Sequence, residues 1–425
     1  MKIFLDMVGC RLNQAEIEIL ARQFRAAGNE IVASPADADL AVINTCTVTT
    51  QAAGDSRQKI RHAAHLGAER IIATGCWATL EPQTATGLPG VTGIVPNSQK
   101  DHLVSEVLEL SPEAIDPEPI ARMPLPGLRA RTRAFIKVQD GCDNACTFCI
   151  TSVARGKGRS IPLETVLADI RSALAGGTKE IILTGVHLGS WGGASGLHLR
   201  HLVTDILKET DVPRLRLSSL EPWDLDGDFF SIWQDTRLMR HLHLPLQSGS
   251  TTVLKRMARK TTPGAYRDLI AAARAAIPDV AITTDVMTGF PGETAEEFAE
   301  TLTFVREVAF AGGHVFTYSA RPGTAAERMK GQVPHEVRKE RSAILRTAFQ
   351  EMAQTYRRRF IGQTLSVLWE SSSKKGDGNW QLEGLTGNYL RVTAPTSKPK
   401  WNQVEDVVLT GMTEAGLVGE LLREG

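Results

Sequence analysis

A chain of 425 residues is too long for one ordinary hydrophobic core and predicts two or three domains. Its 42% hydrophobic and 23% charged residues are those of a folded globular protein, which excludes a disordered chain or a coiled coil. With 48 basic against 48 acidic residues the net charge is zero, so no global field draws in nucleic acid and any RNA contact must rest on local basic patches.

The first residues, Met1-Lys2-Ile3-Phe4-Leu5-Asp6, lack the pattern of a signal peptide, and no later apolar run is long enough to span a bilayer, so a cytoplasmic location without membrane contact is expected. Residues 1–115 alternate apolar runs at 3–8, 40–43 and 70–73 with helical patterns, which predicts an α/β domain with a parallel sheet. Pro112, Pro117, Pro119, Pro124 and Pro126 are too dense for a helix or strand and predict a linker, placed at 116–128. From 129 to 355 six apolar runs, at 135–138, 181–183, 215–217, 241–244, 280–287 and 314–318, are separated by helical segments. That order predicts an open (β/α)6 barrel whose functional residues follow the strands. From 356 to 425 short runs at 364–369, 380–385, 389–392 and 407–410 predict a small antiparallel β-barrel.

Six cysteines are too few for a disulfide scaffold in a chain of this size, and their placement points to metal ligation. Cys142, Cys146 and Cys149 form a C-x3-C-x2-C loop directly after the first barrel strand. A 4Fe-4S cluster normally takes four thiolates, so a triad leaves one iron open to another ligand. A zinc site is the alternative, but it needs four closed ligands and no Cys or His follows at zinc-finger spacing. Cys10, Cys46 and Cys76 each follow a strand-like run. The carboxyl ends of parallel strands share one edge, so these three loops can gather their thiols for a second cluster; three small buried thiols are the plainer alternative.

The triplet, with the aromatic Phe148 before its last cysteine, resembles the radical S-adenosylmethionine superfamily, and that resemblance covers the barrel. It implies that the open iron chelates S-adenosylmethionine and that Phe148 lies against the cofactor. Gly9-Cys10-Arg11-Leu12-Asn13, Asn44-Thr45-Cys46 and Thr74-Gly75-Cys76 ahead of the triplet make the whole chain similar to the methylthiotransferase family. That likeness implies two 4Fe-4S clusters, with S-adenosylmethionine as both methyl donor and radical source. No catalytic residue beyond the clusters is assigned. Gly176-Gly177-Thr178-Lys179-Glu180 looks like the family's GG-x-x-E segment, in which Glu180 would accept from the cofactor's amino group. Ser218, Gln247, Asp285 and Gly289 stand where strands give way to loops and suit contact with the cofactor, although turn chemistry alone could place such residues there.

Arg155, Lys157 and Arg159 form a cationic segment after the cluster loop that could hold substrate phosphates or be a solvated basic loop. His187 lies in Thr184-Gly185-Val186-His187-Leu188-Gly189, which is close to the family branch acting on threonylcarbamoyl-adenosine in tRNA. The isopentenyl-adenosine branch and a ribosomal-protein aspartate are the competing substrates. Arg321 in the YS-x-RPGT segment and Arg391 in a tail resembling the TRAM RNA-binding barrel complete the expected substrate residues. Trp380, Tyr389 and Trp401 could stack on RNA or fill the tail's core. The resemblance implies a tRNA anticodon loop as partner, an external electron donor and a sulfur donor of unassigned identity, with the chain acting as a monomer. A non-catalytic zinc-containing RNA-binding protein and another radical methylase are the remaining alternatives.

Overall fold

The computed structural model describes residues 1–111, 115, 121–126, 132–376 and 378–422. Pro112, Pro117 and Pro119 of the expected linker lie outside the described residues. The chain divides into two compact units, one of residues 1–145, 149–177 and 183–187, the other of 146–148, 178–182 and 188–425.

The first unit is built on a parallel sheet of β1 (Lys2–Met7), β2 (Glu30–Val32), β3 (Leu40–Thr45), β4 (Ile71–Gly75) and β5 (Val91–Val95), ordered β2-β1-β3-β4-β5. Central β3 is buried along its whole length, which is why its sequence reads as a continuous apolar run. Ile17, Leu20 and Phe24 of helix Arg11–Ala26 seal one face, and Ile60, Trp77 and Ala85 from three further helices seal the other. β6 (Arg133–Lys137) follows, then the short antiparallel pair β7 (Gln139–Asp140) and β8 (Arg159–Ser160), which brackets the cysteine triplet.

In the second unit β9 (Glu180–Thr184) leads to β10 (Leu215–Leu217), and the single bridges Leu215–Leu238 and Ser219–His243 carry the order on to β11 (His241–His243). β11 pairs in parallel with β12 (Ala281–Thr288), and β12 with β13 (Gly312–Thr317). These strands coincide with the apolar runs read from the sequence and fall into two three-stranded sheets, β10-β9-β6 and β11-β12-β13. Helix His335–Arg358 carries across the expected boundary at 356. The tail closes a five-stranded barrel from β14 (Thr364–Lys374), β15 (Trp380–Thr386), β16 (Arg391–Thr396), β17 (Val404–Met412) and β18 (Leu417–Leu421), in the order β14-β15-β16-β18-β17. Trp369, with its indole N–H donated to Glu405 at 2.8 Å, fills that core in place of the three aromatics named from the sequence. Trp401 is exposed, and Tyr389, at φ 64°, stacks on His241 at 4.5 Å. Among the described residues no helix is long and apolar enough to cross a membrane.

Candidate active site

The three N-terminal cysteines stand at the carboxyl ends of β1, β3 and β4, as their spacing predicts. Cys10 caps the start of helix Arg11–Ala26, where the helix dipole favours an anionic sulfur. Gly9 (φ 105°) and Gly75 (φ 91°) turn the chain in a conformation other residues avoid, and a Cβ on Gly9 would strike the Cys46 side chain. Cys46 is fixed by Ser56, whose hydroxyl accepts from the Cys46 N–H at 2.9 Å and lies 3.1 Å from its carbonyl. Cys76 Sγ lies 3.6 Å from the Asn97 amide nitrogen, which also donates to the Ala154 carbonyl at 2.8 Å. Desolvation pushes the Cys10 thiol up and Arg155 pulls it back down. Burial likewise raises Cys46, and charge on Cys10 and Cys76 adds to that rise.

Behind these loops lies a buried ionic cluster. Glu16 accepts from Arg155 at 2.7 Å, Lys100 at 2.8 Å, the Asn44 amide at 3.1 Å and Lys137 at 3.4 Å. Arg155 also donates to Asp140 at 2.9 Å and to Asn13 at 2.8 Å, while Asp140 accepts from Gly141 N–H at 2.8 Å, just before Cys142. Burial alone would raise the Glu16 carboxyl, but Arg155, Lys100 and Lys137 hold it well below the usual range. Burial works the same way on Asp140, which Lys137 and Arg155 bring down to about 2. Three buried cations, Lys100, Lys137 and Arg155, thus face the buried carboxylates Glu16 and Asp140 and the exposed Asp101, which Lys137 meets at 3.5 Å.

Among the described residues no three His, Cys, Asp or Glu side chains converge on a point fit for a single metal ion. A four-iron cluster takes one thiolate per iron and does not require such a point. The fit is therefore judged from the surroundings: glycine turns at Gly9 and Gly75 that leave room, a helix start at Cys10, and an amide donor beside Cys76. These fit.

In the triplet, Gly141 (φ 69°) turns tightly against the Lys157 carbonyl. Thr147 N–H donates to the Met257 carbonyl at 3.1 Å, and Phe148 packs on Val253, Met257 and Phe290. Arg259 lies 3.8 Å from Cys146 Sγ, is held by Glu221 at 2.6 Å and covers the Trp223 ring at 4.4 Å. The Ser218 hydroxyl is buried without a hydrogen-bond partner, as suits a group awaiting a polar ligand. Gln247, at φ 72°, bridges β11 to β12 by donating its N–H to Asp285 and accepting from Met287. Asp285 Oδ2 lies 3.3 Å from His243 Nε2. Gly289 (φ 69°) packs against Arg338, where a side chain would collide.

Two expectations change. Glu180 opens β9, at the opposite end from the loops that follow the strands, and its carboxylate is taken by Arg214 at 3.0 Å and Arg216 at 2.9 Å. Those arginines also donate to the carbonyls of Leu385, Thr386 and Gly387, so Glu180 is a structural anchor for the tail barrel and cannot face a cofactor amino group. Arg155 is buried in the ionic cluster and is not available to phosphates. Arg159 is partly used by Asp101 at 2.6 Å and Asp140 at 3.2 Å, whereas Lys157 is exposed. His187 is buried, with ring nitrogens 3.3 and 3.4 Å from the Asn144 amide. Arg321 is half-buried and Arg391 exposed, as is Lys398, while Lys400 is committed to Glu405.

Glu16, Asn13, Asn97, Lys100, Lys137 and Arg259 were not singled out from the sequence. The one usable signal is polar Asn13, Gln14 and Glu16 sitting buried at the start of an otherwise amphipathic helix.

The model of the radical SAM superfamily matches residues 136–305, and that of Uncharacterized protein family UPF0004 matches 2–96. The threonylcarbamoyladenosine tRNA methylthiotransferase MtaB of Bacillus subtilis is 35% identical over 91% of this chain and 88% of its own length, and that of Thermotoga maritima 37% over 88% and 87%. The tRNA-2-methylthio-N(6)-dimethylallyladenosine synthase of Bacillus cereus is 33% identical over 100% of this chain and 86% of its own. Among solved structures, the radical S-adenosylmethionine methyltransferase TsrM from Kitasatospora setae, with cobalamin and a [4Fe-4S] cluster bound, shares the fold at a TM-score of 0.60 and 15% identity, covering 77% of each chain. The barrel with its cysteine triplet is thus a domain that binds S-adenosylmethionine and a 4Fe-4S cluster. Because the likeness to these enzymes runs through nearly the full length of both partners, this chain belongs to the radical S-adenosylmethionine methylthiotransferase family.

Proposed function

We propose that the chain replaces the C2 hydrogen of N6-threonylcarbamoyladenosine at position 37 of tRNA with a methylthio group, using a second 4Fe-4S cluster on Cys10, Cys46 and Cys76. The observation that supports this reading is three cysteine loops brought to the same edge of one parallel sheet, in a chain similar over nearly its full length to threonylcarbamoyladenosine tRNA methylthiotransferases. Arg155 and Lys100 stand beside those loops, already paired with Glu16, and would add favourable charge next to an anionic cluster. A radical enzyme that inserts no sulfur needs neither the cysteines nor that charge.

When bound, the two clusters and S-adenosylmethionine supply the radical and the methylthio group. The chain's own residues do the rest. Cys142, Cys146 and Cys149 hold the radical cluster, with Arg259 lending positive charge at Cys146. Ser218 offers an unused hydroxyl to the cofactor, and Phe148 closes the apolar side. Asn13 and Asp140 tie the Cys10 and Cys142 turns to the same Arg155 guanidinium, which keeps the two ligand loops in fixed register. Exposed Lys157, Arg391 and Lys398 offer phosphate contacts, and a single-stranded loop lets its adenine splay out at low cost. An external one-electron donor and a sulfur donor are required.

The test is anaerobic reconstitution followed by turnover on an anticodon stem-loop carrying threonylcarbamoyladenosine. About eight irons per chain and a 2-methylthio nucleoside in the digest are expected; about four irons and no thiolation would overturn the reading. The Bacillus cereus relative makes isopentenyl-type substrates the second reading, and the same digest run on that RNA separates the two.

A further inference from the structure

The open face of the second half-barrel carries polar side chains that the cluster chemistry does not use. On β12 Ile282, Thr284 and Val286 are buried against the helices, so Thr283, Asp285 and Met287 face the barrel interior. On β13 a Cβ at Gly313 would meet Phe349 of helix His335–Arg358, so His314 and Phe316 face inward, and both are exposed. Phe316 keeps 45% of its surface open, which is unusual for a large apolar residue on a strand inside a barrel. Asp285 and His314 are direct partners across the β12–β13 pair. His243 reaches Asp285 at 3.3 Å and the Thr283 hydroxyl at 2.9 Å, and its ring lies 6.1 Å from that of His314. His314 in turn lies 6.4 Å from Phe316.

This row has a fixed distance from the chemistry. Met287 packs in the apolar cluster that holds Phe148 of the cysteine loop. Asp285 is two residues back on the same face, about 7 Å along the strand. A purine resting beside Met287 would therefore project a substituent of a few ångströms onto His243, Asp285 and His314.

We infer that His243, Asp285 and His314 read the N6 substituent of the substrate adenine and select one bearing a carboxylate. The inference rests on the proposed activity and deepens it. A threonylcarbamoyl group carries a carboxylate, a hydroxyl and ureido N–H groups. The His314 imidazole supplies a donor for the carboxylate, and Asp285, held in place by His243, supplies an acceptor for the N–H or hydroxyl. Phe316 gives the apolar stem or the base a ring face. An isopentenyl substituent has no polar atom to offer and would leave these groups desolvated and unpaired, which is the arrangement that discriminates most strongly between substrates.

The test uses the reconstituted full chain, the substitutions His314→Ala, His314→Gln and Asp285→Asn, and three stem-loops bearing threonylcarbamoyladenosine, isopentenyladenosine or plain adenosine at the target position. Two readouts are taken: kcat/KM for methylthio product, and RNA affinity without turnover. His314→Ala should cut kcat/KM on the threonylcarbamoyl RNA by about tenfold or more, with the loss mainly in KM, and erase its binding preference over plain RNA. His314→Gln, which keeps a donor, should recover part of that preference. Asp285→Asn should weaken the threonylcarbamoyl RNA more than it weakens the isopentenyl or the plain one. Equal weakening of all three RNAs, or no change in preference, overturns the inference. If the unmodified enzyme thiolates only the isopentenyl RNA, the proposed activity fails first and this selection falls with it.

Discussion

Two buried clusters pair a glutamate with arginine, and they serve opposite ends of their strands. Glu16 meets Arg155, Lys100 and Lys137 behind three strand-end cysteine loops, where Asp140 and Asp101 supply the remaining negative charge. Glu180 meets Arg214 and Arg216 at the start of β9, and the spare guanidinium N–H groups go to carbonyls of the tail barrel. The chemistry is the same and the residue types nearly so. What separates the two clusters is where the remaining donors go: to the side chains of Asn13 and Asn44 beside the cysteine loops in one case, to backbone oxygen in the other.

The comparison breaks most visibly at Glu16. Glu16→Ala leaves three buried cations with Asp140 and the exposed Asp101, and is expected to cost about 3–5 kcal/mol. Methylthio product should fall far more than 5′-deoxyadenosine formation in the folded fraction; equal loss of both would reduce Glu16 to scaffold. Glu180→Ala should cost a similar stability, about 3–5 kcal/mol by chemical unfolding, but leave the ratio of 5′-deoxyadenosine to product unchanged. A changed ratio would merge the two classes.

A smaller effect lies at a pair with no surplus. Arg256 and the N-terminal capping box of helix Ala295–Val308 hold Glu297 at about 2 against 4.5 for a free glutamate. Its contribution is complete above pH 4.5 and is lost as the pH falls toward 2. Glu297→Gln should therefore cost about 2 kcal/mol near pH 7, and the gap from the parent should close across that acid window in unfolding measurements. The smallest change is expected at the surface: Arg391→Ala should lower RNA affinity severalfold and reduce the salt slope by about one, without altering nucleoside preference.

Much of this was legible beforehand. The six barrel strands announce themselves because each is an apolar run flanked by turn residues, and Cys10 and Cys76 because the glycine before each is demanded by a backbone turn. The charged residues were not legible. Arg155 in Ala154-Arg155-Gly156 and Glu180 after Gly176-Gly177 look like solvated or ligand-facing groups until their partners are known. Those partners lie far off in sequence, 139 residues away for Arg155–Glu16 and 36 for Glu180–Arg216. Periodicity reports burial of apolar faces, and it is silent on which distant charge a buried one will meet. The inward row of His243, Asp285 and His314 was missed in part for the same reason, since only strand pairing brings them side by side.

The tail barrel is shut by its own final strand: β18 pairs antiparallel with β17 on one side and parallel with β16 on the other. Until the ribosome has delivered residues 417–421, the four earlier strands wait with two bare edges, each a template for a neighbouring chain. A nonsense codon or protease cut just ahead of Leu417 should therefore yield a sticky, inclusion-prone product in place of a merely weakened RNA binder.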